Sequence, residues 1–300
     1  MTIKENTVGE AATRGENTPA AEQAETPSGK GAGDENFPVG SWLIPKELRP
    51  HVAAYYDFAR AIDDIADNPD LRSGIKLARL DGFAAALRGT NDDPPYAKAH
   101  ALRATLETTG VTPQHGLDLI SAFKQDSVKF RYADWTELMD YCNRSAAPVG
   151  RFLLDLHGES VSLYPLSDAL CNALQVINHL QDCAADYANL NRVYLPDEWM
   201  HASGANVVDL AQIAATPGLR SVIDTCLDST EKLLIEARKL PKAMTHRGLA
   251  AETAVIVAIA DRLTKKLRRR DPLAERVVLK APGFAAAAAT GLFHLWFKAR

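Results

Sequence analysis

Residues 171–198 read CNALQVINHLQDCAADYANLNRVYLPDE, and within them Gln175, Asn178, Asp182 and Asp186 recur at steps of three and four residues. Such steps return to one face of an α-helix. Leu174, Val176, Ile177, Leu180, Cys183 and Ala184 fill the other directions, so the helix is apolar on most sides and its polar stripe is directed into an internal cavity. Two carboxylates one turn apart, with an amide a turn earlier, are hard oxygen donors on a rigid element. They suit a magnesium ion that takes its remaining oxygens from a substrate phosphate. The same spacing also describes caps and ion pairs on a half-exposed helix. A second stretch weighs against that plainer use: residues 55–67, YYDFARAIDDIAD, set Tyr56, Arg60, Asp63 and Asp67 on one face, with Asp64 beside them. Two acidic stripes directed into one cavity repel each other unless divalent cations hold them together.

The elements that must position these stripes are marked by the breaks between them. After Pro45 the apolar spacing is helical, with breaks at 68–70, 89–95, 110–113, 132–134, 158–165, 195–204, 216–218 and near Pro241. Strand-like alternation is nearly absent, which makes the chain all-α. Residues 1–36 are rich in Glu, Ala, Thr, Gly and Pro and poor in large apolar side chains, so they read as a disordered tail. Residues 37–300 read as a single helical domain opened by FPVGSWLIP. The GKGAG run in the tail has neither a strand before it nor a helix after it, and carries no phosphate loop. The helix from Trp135 is interrupted by Pro148 and Gly150 in CNRSAAPVGRFLL, where a proline in a helix interior kinks the axis. Residues 244–270 read as one long helix whose basic end suits the macrodipole, with anionic lipid as a second use of that charge. Residues 282–297 end in AAAAATGLFHLWF, an apolar run that reads as a docking helix completing the core, with an interfacial anchor as the alternative.

Composition narrows the class. With 300 residues and 46% hydrophobic content the chain can bury one sizeable core. The net charge of −4 and the absence of a basic tract of nucleic-acid type argue against nucleic acid as a partner. Cys142, Cys171, Cys183 and Cys226 are scattered in apolar helical contexts without a CxxC pair, as expected of reduced core thiols in a cytoplasmic protein. No N-terminal apolar stretch resembles a signal peptide and no segment is suited to span a bilayer, so membrane contact is expected at most as peripheral contact with the inner face. His157 and His179 lack paired ligand spacing, which disfavours a hydrolytic zinc or iron site. His179, bordering the second acidic stripe, reads as a hydrogen-bonded wall residue.

RAIDDIAD, NHLQDCAAD and the RVYLP that follows resemble the two aspartate-rich motifs of the squalene and phytoene synthase family. Within it, FPVGSW, SAAPVGRFLLDLHGE and LRRRDPL most resemble the hydroxysqualene synthases of bacterial hopanoid pathways. The resemblance covers essentially the whole chain after the tail. It implies an isoprenoid (terpenoid) synthase fold, a helical bundle around a central cavity with acidic motifs on facing helices at its mouth. It implies Asp63, Asp67, Asp182 and Asp186 as direct or water-mediated magnesium ligands, with Asp64 as an auxiliary. Gln175 and Asn178 orient metal and diphosphate, Arg60 and Arg192 meet diphosphate oxygens, and Tyr56 and Tyr141 line the reaction cavity. Tyr141 reads equally well as a core tyrosine with a satisfied hydroxyl.

The implied reaction starts from presqualene diphosphate, which ionises with Mg2+ and rearranges before water captures the cation to give hydroxysqualene. No NADPH is then expected, and the chain has no dinucleotide fingerprint. Departures from the broader pattern are Ala185 in place of an acidic residue, SAAPVG in place of VAGxVG, Arg192 one residue further along, and no tyrosine within residues 255–259. A transferase of the same family, joining two farnesyl diphosphates or two larger prenyl diphosphates, would use the same metal cradle. A non-catalytic helical scaffold would carry the stripes as structure and show no diphosphate-dependent stabilisation by magnesium. Oligomeric state and contacts with neighbouring pathway enzymes are not written in these patterns.

Overall fold

The computed structural model describes residues 24–25 and 43–297. Most of the predicted tail, and the FPVGSW stretch at residues 37–42, lie outside the described residues. Within the tail, Ala24 and Glu25 are described. Ala24 is buried in the core, and the Glu25 carboxylate pairs with Lys98 Nζ at 2.7 Å.

Twelve α-helices follow among the described residues: α1 Arg49–Asp67, α2 Ser73–Leu87, α3 Ala97–Thr109, α4 Gln114–Asp126, α5 Trp135–Ser145, α6 Ala147–Leu156, α7 Tyr164–Leu190, α8 Asp197–Ala202, α9 Pro217–Ala237, α10 Leu240–Ala243, α11 Arg247–Leu267 and α12 Ala281–Phe297. Beyond short 3-10 turns the one strand-like feature among them is an isolated bridge between Tyr132 and Pro196. The chain is all-α.

Local chemistry sets the boundaries. Asp134 caps α5 by accepting the Glu137 N–H at 2.8 Å, while the Glu137 carboxylate accepts the Ala133 N–H at 2.7 Å, a reciprocal cap. Pro148 does not kink a continuing helix. It lies in the first turn of α6, where its missing N–H costs nothing, and the chain breaks at Ala146 with φ −124° and ψ −46°. Residues 244–270 are likewise shorter in helix than their spacing suggests. Met244 is extended, and His246 starts α11 by accepting the Leu249 N–H at 3.1 Å on Nδ1. Residues 195–204, read as a break, contain the short helix α8.

Two hydrophobic clusters form the core. One gathers Val52, Phe58, Ile62, Leu80, Phe83 and Leu102 from α1 to α3; the other gathers Val176, Ile177, Leu180, Ile223, Ile259 and Leu263 from α7, α9 and α11. α1 packs on α2, α3 and α4, whereas α7 packs on α5, α6, α9 and α11. Between these two groups the interior stays open. Gly150 allows α6 to approach α7: a Cβ there would stand 2.3 Å from Ser167 Oγ.

α12 packs along α11, the docking arrangement expected of its apolar run. Arg262 donates to Ala286 O at 2.9 Å and to Thr290 Oγ1 at 2.8 Å, and a Cβ on Gly291 would lie 2.4 Å from Ala254 O. Phe293 and Trp296 remain exposed on its outer face. No described helix is long and apolar enough to cross a membrane. Because the clash at Gly291 is with backbone, Gly291→Ala is expected to destabilise the protein by about 1–3 kcal/mol. Urea unfolding of the variant against the wild type measures this.

Candidate active site

The open interior is a cavity of about 320 Å³ that receives both polar stripes. α1 contributes Tyr56, Arg60 and Asp63, and α7 contributes Gln175 and Asn178. Most of the remaining wall is apolar, with Val52, Phe152, Leu170, Leu174, Leu249 and Ile256 facing in. Asp67 follows Asp63 by one turn, and Asp182 and Asp186 follow Asn178 by one and two turns, so the carboxylates continue the polar end outward. Asp182 is exposed, while Asp67 and Asp186 are partly buried.

Arg192 joins the two acidic ends. Asn191 closes α7 in the left-handed region at φ 53°, a reversal that lets the Arg192 N–H bond back to Asp186 O at 3.2 Å. Its side chain then crosses to α1. Nη1 donates to Asp67 Oδ1 at 2.5 Å, Nη2 to Ala66 O at 2.8 Å and Nε to Asp126 O at 3.1 Å. Lys76 Nζ donates to the same Ala66 carbonyl at 2.7 Å. Two cations thus meet the C-terminal end of α1, where the helix dipole is negative and the acidic motif adds to it.

Beneath Arg192 lies a buried carboxylate. Asp126 accepts the Tyr141 hydroxyl at 2.7 Å and the Tyr194 hydroxyl at 3.0 Å. Burial pushes it up to about 6, against the pull of Arg192 and the two hydroxyls. Burial also raises Tyr141 and Tyr194 far above the ordinary phenol range, so both remain O–H donors. The His179 ring stacks on Tyr194 at 3.7 Å between centroids and 11° between planes. Burial, then the Arg192 charge, drops it to about 3, which keeps the imidazole neutral.

The acidic end itself is charge-crowded. Burial first, then Asp67, raises Asp63 well above the usual carboxylate range, opposed by Arg60. Asp186 is pushed up to about 7 by burial, then by Asp182 and by Asp67 across the cavity. Arg60 contacts Asp63 through Nη2 and Asp64 Oδ1 at 3.0 Å through both Nε and Nη2.

This geometry has close relatives. A family profile described as Squalene/phytoene synthase matches residues 31–282. The chain belongs to the squalene/phytoene synthase family. It is 48% identical over 252 residues to hydroxysqualene synthase of Zymomonas mobilis, covering 83% of this chain and 84% of that protein. It is 46% identical over 264 residues to hydroxysqualene synthase of Rhodopseudomonas palustris, covering 88% and 90%. Among solved structures, a squalene synthase from Alicyclobacillus acidocaldarius superposes with a TM-score of 0.68 at 33% identity, covering 77% of this chain and 87% of that one.

In this squalene/phytoene synthase the structure brings Tyr56, Arg60, Asp63, Gln175 and Asn178 to one cavity and sets Asp67, Asp182 and Asp186 at its polar end. Three residues stand elsewhere than the sequence suggests. Tyr141 does not line the cavity; it is 2% exposed and its hydroxyl is bound to Asp126. Arg192, expected to face the diphosphate, is 4% exposed, with all three guanidinium nitrogens donating to the protein, and it ties the end of α7 to α1. Asp64 is buried against Arg60 and orients that guanidinium, where an auxiliary metal ligand was expected. Sequence reasoning missed Asp126, Tyr194 and Lys76. Asp126 left one signal, an acidic residue in the last turn of α4, where the helix dipole disfavours it.

The donors suit magnesium: carboxylate and amide oxygens, with Asp63 and Asp186 raised first by burial and then by neighbouring carboxylates, Asp67 among them in both cases. Among the described residues no three His, Cys, Asp or Glu side chains could hold a metal by themselves. An ion placed here would complete its shell with water and diphosphate oxygens.

Removing Arg192 takes away the guanidinium paired with Asp67 and lying over Asp126, and leaves Lys76 as the nearby cation. Arg192→Met is expected to lose about 3–5 kcal/mol of stability in a denaturant titration. The raised carboxyls set a pH dependence as well. Folded Asp186 keeps a proton that the unfolded chain releases, so stability in chelator should fall as pH rises from about 4 to about 7. Thermal unfolding in EDTA should show a midpoint several degrees higher at pH 5.5 than at pH 8, and Asp186→Asn should flatten that difference.

Proposed function

We propose that this chain is a hydroxysqualene synthase, a lyase converting presqualene diphosphate and water to hydroxysqualene and diphosphate. One observation carries the reading: two helices place carboxylates and amides at one end of a cavity whose other walls are apolar. The similarity to hydroxysqualene synthases over more than four fifths of both chains supports the choice within the family.

Arg60, Gln175 and Asn178 would hold the diphosphate at the polar end. The planar fork of Arg60, already aimed by Asp64, matches phosphate oxygens. Asp63, Asp67, Asp182 and Asp186 would hold magnesium, which when bound neutralises the leaving diphosphate. Tyr56 lies on the cavity wall, where its ring face can stabilise an adjacent cation. The apolar walls exclude bulk water while the hydrocarbon rearranges, and capture by a single water ends the sequence. Closing the reaction with water leaves no hydride to supply, so NADPH has no role in it.

The test is incubation of the protein with magnesium and no nicotinamide, giving presqualene diphosphate in one tube and farnesyl diphosphate in another, with products identified by mass spectrometry. An alcohol of hydroxysqualene mass from presqualene diphosphate is expected. Conversion of farnesyl diphosphate to presqualene diphosphate would place the chain among the transferases, and inactivity in both tubes would favour a scaffold. Asp63→Asn and Asp182→Asn should each fold normally and lose about 10²-fold or more in kcat, since each removes a charge that acts on the leaving group. Near-normal turnover in either variant would remove that residue from the proposed set.

A further inference from the structure

The cavity wall carries a hydroxyl that the protein itself leaves unengaged. Ser145 ends α5 and lies with Leu138, Tyr141 and Cys142 on that helix's buried face. It is 8% exposed, and it lines the same cavity as Gln175 and Asn178. Its Oγ is buried and has no hydrogen-bond partner among the described residues. A serine or threonine on a helix ordinarily bonds back to the carbonyl four residues earlier. This chain does so repeatedly: Ser127 to Phe123 O at 3.0 Å, Thr230 to Cys226 O at 2.8 Å and Thr264 to Ala260 O at 2.9 Å. Ser145 does not.

A buried hydroxyl of this kind finds its partner in what the cavity holds. Val149, Leu153 and Leu174 line the cavity with it and offer no polar side-chain atom. The polar residues on the same lining, Gln175, Asn178 and Glu252 among them, make no hydrogen bond to Ser145 Oγ, and the hydrocarbon of a prenyl substrate offers no polar atom either. Water does. We propose that Ser145 Oγ holds the water molecule that captures the rearranged carbocation, an inference that rests on the lyase reading above. The hydroxyl accepts a hydrogen bond from this water and leaves a water lone pair directed at the cation. That lone pair forms the new C–O bond, and the surplus proton passes to the diphosphate freed in the ionisation step. Nothing is oxidised or reduced, and the products are one alcohol and one protonated diphosphate.

Tyr55 supplies an internal comparison. Its hydroxyl is also buried in the cavity wall without a partner among the described residues. It precedes Asp63 by eight residues, about 12 Å of helix, which sets it far from the end where the leaving group is held.

The experiment gives presqualene diphosphate and magnesium to wild type, Ser145→Ala, Ser145→Thr and Tyr55→Phe. The readout is the ratio of hydroxysqualene to the hydrocarbon lighter by one water, formed when the cation loses a proton instead of being captured. Ser145→Ala should lower that ratio by about tenfold or more, while Ser145→Thr and Tyr55→Phe should hold it near the wild-type value. A wild-type ratio in Ser145→Ala, an equal fall in Ser145→Thr, a collapse in Tyr55→Phe, or a loss of turnover in Ser145→Ala with the ratio unchanged would each overturn the proposal. Absence of alcohol from the wild type would instead overturn the lyase reading, and is distinguished because it is read on the unaltered protein.

Discussion

One buried guanidinium sets the geometry of the acidic end. Arg192 leaves the end of α7 through a left-handed residue and donates to the Asp67 side chain, to the Ala66 carbonyl of α1 and to the backbone carbonyl of Asp126. Without it, the two acidic ends would lose a cation that bonds to both, since its side chain donates to Asp67 on α1 and its backbone N–H to Asp186 O on α7. Burial pulls its charge down, but Tyr194, Asp126 and Asp67 outweigh that and hold it above the ordinary arginine range. The clamp fixes the spacing of the two motifs from behind, through protein groups. In the proposed function their other faces would take the cations and the phosphate.

The cavity follows from the way the core divides. One cluster is built mainly on α1 to α4 and the other mainly on α5, α7, α9 and α11, with α6 contributing Phe152 to the first and Leu154 to the second. They leave a space whose polar end is charged and whose body is apolar. This asymmetry suits a substrate with a diphosphate head and a long hydrocarbon body. In the proposed reaction the leaving-group charge would be met by fixed charges, and the cation left behind would be held where water cannot reach it freely. Beneath the acidic end, Tyr132, Tyr141, Tyr194 and His179 pack as a neutral aromatic base around Asp126. That layer keeps the clamp rigid and dry.

Much of this was legible in the sequence, because helical period fixes which residues share a face. Tyr56, Arg60, Asp63, Gln175 and Asn178 fall together in the structure as their spacing demands. Period does not say what stands across from a face. Arg192 could be seen beyond the second motif, but its reach to Asp67, 125 residues away in sequence, could not. Tyr141 was legible as a tyrosine on a buried face, while its partner Asp126 sits on another helix. Pro148 was legible as an interruption; whether it kinks one helix or starts the next depends on the backbone at Ala146. Asp64 sits beside its motif in sequence and is drawn inward by Arg60, a choice made by side-chain packing.

The central claim is that two motifs on separate helices form one site for a metal-bound diphosphate. It is tested most directly by thermal unfolding of wild type, Asp63→Asn and Asp182→Asn with magnesium, with inorganic diphosphate, and with both. The account predicts an upward shift in the wild type only when both are present, lost in either variant. A shift of equal size with magnesium alone, or one that survives in either variant, would contradict it.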